Sequence, residues 1–145
     1  MCLFVLPQSQ SIRYLARKVG LLQGSPQEVA LIESLQDSWT DLRNICVDYV
    51  FAPAEAKPKV KENLLAVLEK QSSYQDTLIG DKNTYFGKPT LADFALFDVM
   101  DQIVRIVGEQ VFKVTGDGVQ RVYQHVKTIL RDYLSGPIRL EETAI

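Results

Sequence analysis

TYFGKPTLADFALFDVMDQIVRIV, residues 84–107, is the stretch whose reading decides the fold. Thr90 and Asp93 stand three apart just ahead of an apolar run. That is the spacing of a capping box, in which the Thr90 hydroxyl accepts from the Asp93 N–H and the Asp93 carboxylate reaches back to the Thr90 N–H. Pro89 and Phe94 occupy the two positions of a hydrophobic staple across the same start. Behind the cap, Leu91, Ala92, Phe94 to Phe97, Val99, Met100, Ile103, Val104, Ile106 and Val107 leave one narrow polar stripe of Asp98, Asp101, Gln102, Arg105 and Glu109. A helix apolar on most of its circumference is the buried centre of a helical assembly. Its Asp and Arg residues interrupt it too often for a membrane span. On this pattern its residues organise the fold and carry no chemistry.

Working outward, 145 residues suffice for one domain with a proper core. A 46% hydrophobic and 23% charged composition is that of an ordinary globular protein. The net charge of −2 lacks the basic footprint of a nucleic-acid binder. Two cysteines, Cys2 and Cys46, and the single His125 support neither a disulfide framework nor a metal site, and fit a reducing, cytoplasmic setting. Met1 to Leu6 is apolar but too short for a signal-peptide core, and reads as a short strand ended by Pro7.

The helices flanking the centre follow from their punctuation. Ile12 to Val19 reads as a helix with Ile12, Leu15, Ala16 and Val19 on one face, Arg13 and Arg17 on the other, and Gly20 as its stop. Ser25 and Glu28 form a second capping box with Pro26 at the first helical position. That helix should run to Phe51 or Ala52, with Leu31, Ile32, Leu35, Trp39, Leu42, Ile45, Cys46 and Tyr49 inward and Glu33, Asp37, Asp41 and Asp48 outward. A third helix is expected from Pro58 to Lys70 with Val60, Leu64, Leu65 and Leu68 inward, then a loop-rich stretch from Gln71 to Pro89. After Gly116-Asp117-Gly118 a last long helix should carry Val119, Val122, Tyr123, Val126, Ile129, Leu130 and Tyr133 inward, ending at Ser135-Gly136-Pro137. His125 beside that face is expected to be structural.

The Tyr85-Phe86-Gly87 stretch followed by Pro89-Thr90-Leu91-Ala92-Asp93-Phe94 resembles the capped core helix of the all-helical C-terminal domain of cytosolic glutathione transferases. Phe97-Asp98-Val99-Met100-Asp101-Gln102 is similar to their mu, pi and sigma branch. The fold implied is an all-α helical bundle of that type over residues 21–145, of five or six helices. Residues 1–20 resemble the end of the thioredoxin-like domain that precedes it. In that family a Gln-Ser pair at a helix start holds the γ-glutamyl carboxylate of glutathione, which implies that role for Gln8 and Ser9. A helix N-terminus is suited to an anion by its free N–H groups and dipole. The plain alternative is a Ser/Gln tract that only caps the helix.

By the same resemblance Asp41, in Asp41-Leu42-Arg43, reaches the glutathione amine across a dimer. Val47 and Phe51 line the pocket for hydrophobic electrophiles, though an apolar residue near a helix end is commonly core. Arg13 and Arg17 would meet Glu33 and Asp37 of a second copy in a homodimer, although such a charge run is also the pattern of a solvated face. No catalytic residue is assigned, because by this resemblance the thiol-activating Tyr (or, in other classes, Ser or Cys) and the cis-Pro clamp belong to a domain that these residues do not include. Three readings follow. The chain is a glutathione transferase in an N-terminally truncated form with weak glutathione binding and little activity alone, a non-catalytic transferase-like helical interaction module, or a fragment with no role of its own.

Overall fold

The computed structural model describes residues 8–136, with side chains described from Gln10 onward. The strand expected at Met1 to Pro7 and the stop at Pro137 lie outside those residues. Among the described residues there are seven α-helices and no strand: α1 Gln8–Lys18, α2 Pro26–Phe51, α3 Lys57–Ile79, α4 Leu91–Val107, α5 Val111–Val114, α6 Asp117–Ile129 and α7 Arg131–Leu134, with a 3₁₀ turn over Gly108–Gln110. The expected all-α bundle is the architecture observed.

The central stretch is α4, and its Leu96, Met100 and Ile103 are fully buried. Each such side chain contributes about 1.5–3 kcal/mol by leaving water. It packs most extensively against α2 and next against α6, and both of those pack on α3. Its start is over-determined. Asp93 Oδ2 accepts from the Thr90 N–H at 2.7 Å and from the Thr90 hydroxyl at 2.8 Å, while Oδ1 accepts from the Tyr85 N–H at 2.9 Å. The capping-box carboxylate therefore also pins the chain that leads into the helix. The staple position Phe94 is half-buried and Pro89 is exposed.

α2 starts at the second box as expected: the Ser25 N–H donates to Glu28 Oε2 at 2.8 Å and the Glu28 N–H donates to the Ser25 hydroxyl at 3.2 Å. It ends at Phe51, and Leu31, expected inward, is exposed. α1 departs further. Ile12 and Ala16 face the core, but Leu15 and Val19 are exposed.

α3 corrects the expected loop. It does not stop at Lys70 but continues to Ile79, where Gly80 caps it with φ +58°. Its buried stripe is Leu64, Leu68, Ser72, Gln75 and Ile79, and the polar Ser72 and Gln75 broke the apolar periodicity that would have revealed it. Both are functional parts of the packing. The Trp39 indole N–H donates to the Tyr85 hydroxyl at 3.0 Å, which donates to Gln75 Oε1 at 2.5 Å. The Ser72 hydroxyl accepts from the Gly116 N–H, and Asp76 Oδ1 accepts from the Val119 N–H, both at 2.8 Å. α3 thus supplies the N-terminal partners of α6, which has no side-chain cap of its own. The expected last helix is two, α6 and α7, with Leu130 at the break and Ile129 and Tyr133 exposed. α5 and the 3₁₀ turn, unforeseen, fill the connection between α4 and α6.

Candidate functional site

α1 and α2 run antiparallel, and their register is written in ion pairs. Arg13 Nη2 lies 2.6 Å from both carboxylate oxygens of Asp37, and Arg17 Nη2 lies 2.7 Å from Glu33 Oε1. Buried Gln36 completes the set: its Oε1 accepts from Arg13 Nε at 3.2 Å and its Nε2 donates to the Thr40 hydroxyl at 3.0 Å. The four charged residues expected to meet across two copies are therefore brought together within one chain. Gln36 and Thr40 were not foreseen, because each is a polar residue on a helix whose inward stripe was sought among apolar ones.

Advancing one turn along α1, from 13 to 17, moves the partner back one turn along α2, from 37 to 33. Gln8 and Ser9 lie in the first turn of α1, and Asp41 is exposed one turn beyond Asp37 on α2. The side chains of Gln8 and Ser9 lie outside the described ones. The first turn of a helix has backbone N–H groups without intrahelical partners, the donor set an anion needs.

Between α1, α2 and α4 lies a groove of about 340 Å³. Ile12, Leu91, Phe94, Ala95 and Val99 give it apolar walls, with Gln36 and Thr40 on one side and Arg43 and Asp98 also lining it. Val47 and Phe51 do not line it. They sit four apart in the last turns of α2, open to solvent, and Phe51 is 83% exposed. A wider, open depression of about 540 Å³ lies on α6 beside Asn83, lined by Gln120, Arg121, His125 and Thr128.

The reactive groups are quiet. The buried Cys46 thiol is pushed up to about 11, first by burial and then by the nearby Asp98 charge, so it is not a nucleophile at neutral pH. Burial raises the Tyr85 phenol well above its ordinary value, and its hydroxyl is engaged by Trp39 and Gln75. Among the described residues no group of three or more His, Cys, Asp or Glu could hold a metal ion. No helix of the described residues is long and apolar enough to cross a membrane.

Comparison with known proteins agrees with this architecture. The family model for the glutathione S-transferase C-terminal domain matches residues 51–132. The chain is 34% identical over 103 residues to glutathione S-transferase Mu 1 of Oryctolagus cuniculus, covering 67% of this chain and 44% of the relative. It is 30% identical over 144 residues to glutathione S-transferase P 2 of Bufo bufo, covering 90% of this chain and 63% of the relative. Among solved structures, the glutathione S-transferase Blo t 8 superposes with a TM-score of 0.77 at 18% identity, over 90% of this chain and 63% of that one, which speaks to the fold. The chain thus spans less than two thirds of the length of the relatives it matches.

Proposed function

This chain belongs to the glutathione S-transferase family, and on that premise we propose that its 145 residues form the helical part of an enzyme conjugating glutathione to hydrophobic electrophiles, a cytoplasmic detoxification activity. Residues 21–145 are the helical domain and residues 1–20 the end of the thioredoxin-like domain with its glutathione segment. The observation that supports the reading is the match of the glutathione S-transferase C-terminal domain to residues 51–132 of this all-α bundle. A γ-glutamyl carboxylate at the first turn of α1, with its amine meeting Asp41 of a second copy across a homodimer, would use the two chemistries these residues offer.

Thiol activation is assigned to none of the described tyrosines. Tyr85 is buried and engaged, Tyr14, Tyr74 and Tyr133 are exposed on helices, and the Tyr49 and Tyr123 rings lie under Lys57 and against Phe97. Glutathione binding to these residues alone is therefore weak, because a few exposed polar contacts barely exceed the cost of association. Titrating the chain with glutathione should give a dissociation constant of about 1 mM or weaker, weakened again by Asp41→Asn. Tight binding indifferent to Asp41→Asn would sink the assignment.

Assembly as a homodimer through Arg13, Arg17, Glu33 and Asp37 remains part of the proposal, and requires these pairs to exchange partners between copies. Sedimentation at low salt should show a dimer at high concentration; only monomer throughout would end it. Exposed apolar residues favour a second reading, a non-catalytic interaction module: Tyr14 and Leu15 on α1 and Val19 just past its end are 57%, 60% and 69% exposed. On that reading the outer face of α1 receives another polypeptide.

A further inference from the structure

The end of α3 and the start of α6 each lack partners that a helix terminus commonly draws from its own residues. The last carbonyls of an α-helix and its first N–H groups have no intrahelical partners. α3 has no basic residue in its last turn, and α6 has no side-chain cap at its first. The missing groups are exchanged between the two helices. Asp76, in the last turn of α3, accepts through Oδ1 from the Val119 N–H of α6 at 2.8 Å, across 43 residues of sequence. Arg121 of α6 returns the contact, donating through Nη2 to the carbonyl of Gly80, the residue that caps α3. The Gly80 N–H donates to the Asp76 carbonyl at 2.9 Å. The bonds therefore close a ring, from the Asp76 carboxylate to Val119, along α6 to Arg121, across to Gly80 and back to Asp76.

Arg121 has no competing engagement. Arg13, Arg17 and Arg105 each lie on a carboxylate. Among the described residues Arg121 meets none, and its Nε is buried without an acceptor. Its charge sits at the carbonyl end of α3, where the helix dipole favours a cation. The approach is close as well as polar: a Cβ on Gly118 would lie 3.3 Å from the Cβ of Ile79. The open depression beside Asn83, lined by Asp117 and Arg121 among others, is the outer seam of this contact.

We propose that the last turn of α3 and the first turns of α6 form one reciprocally capped joint, in which each helix end is held only while the other is formed, so that the two open and close as a unit. α6 is 13 residues long, and a helix of that length is marginal by itself in water, so it frays from an uncapped start. Fraying there withdraws Arg121 from Gly80. A frayed end of α3 withdraws Asp76 from Val119. Local openings of folded proteins follow such cooperative units rather than single bonds. The joint is made of contacts within this chain and is independent of what the molecule binds.

Hydrogen exchange of the full chain under native conditions, read amide by amide by NMR, tests it. Asp76→Ala should speed exchange from Val119 to Tyr123 by about five- to thirtyfold, the effect of a lost cap. It should speed exchange from Thr77 to Gly80 by a similar factor. Ala is the better helix former, so a merely local effect of this substitution would slow exchange in α3. Acceleration there reports the loss at α6. Arg121→Gln should act on the same two segments from the other side, while the amides of α2 and α4 keep their native rates. Asp76→Asn, which keeps an acceptor, and Arg121→Lys, which keeps a donor, should fall between these variants and the native chain. Acceleration confined to α6 in Asp76→Ala, or to α3 in Arg121→Gln, would overturn the proposal by showing two independent caps. No acceleration in either segment, or equal acceleration in every helix, would overturn it too.

Discussion

Glu28 and Asp93 occupy the same position in two copies of one motif, yet their surroundings drive them in opposite directions. Glu28 is exposed, and the Ser25 N–H and hydroxyl hold its carboxyl below the ordinary value of 4.5. Asp93 is buried, and desolvation raises its carboxyl above the ordinary 3.8 despite the bonds from Tyr85 and Thr90 that oppose the rise. The linkage signs therefore differ. The Glu28 contribution is present above the unfolded value and is lost as pH falls through the lowered folded one. The Asp93 contribution is complete below its unfolded value and is lost as pH rises through the raised folded one. In denaturant melts at a series of pH values, the advantage of the native chain over Glu28→Gln should shrink on acidification. Relative to Asp93→Asn, the native chain should gain stability over the same descent. Both differences moving in one direction would show that burial does not dominate at Asp93.

α6 has no side-chain cap of its own. Its start at Asp117 relies on Ser72 and Asp76 of α3, and this is possible only because Gly116 and Gly118 let the carboxylate in. A Cβ on Gly116 would lie 1.4 Å from Asp76 Oδ2, and one on Gly118 would lie 2.8 Å from Oδ1. Asp76→Ala should cost about 1–2 kcal/mol, the range of a lost helix cap. Gly116→Ala should cost at least as much by displacing the carboxylate, and the double variant should cost clearly less than the sum. Strict additivity in urea melts would mean that the two do not share one interaction. This contact also marks where the sequence stopped being legible. α2 and α4 were readable because capping boxes and apolar stripes are local signals. The last turns of α3 were not, since Ser72 and Gln75 are buried through partners 44 and 10 residues away in sequence. The short α5 lies below the length at which periodicity carries information.

For the whole molecule, the bundle was legible and the site only partly so. Arg13, Arg17, Glu33 and Asp37 could be singled out from spacing and resemblance, but no periodicity distinguishes pairing within one chain from pairing between two. That they close within the chain depends on how α1 folds back after Gly20. Leu15, Val19 and Leu31 read as core and are exposed, because an apolar stripe says only that a residue fits an apolar contact, not that this chain supplies it. The central proposal is that this chain carries the helical framework of a glutathione transferase and that none of its described tyrosines makes the thiolate. A donor positioned on the thiolate is worth a factor of about 10²–10³. The direct test is conjugation of glutathione to an aromatic electrophile by the purified chain, beside the same chain with a thioredoxin-like domain joined ahead of Gln8. The account predicts little or no turnover by the chain alone and restored turnover in the fusion. Clear turnover by the chain alone, abolished by Ser9→Ala, would contradict it.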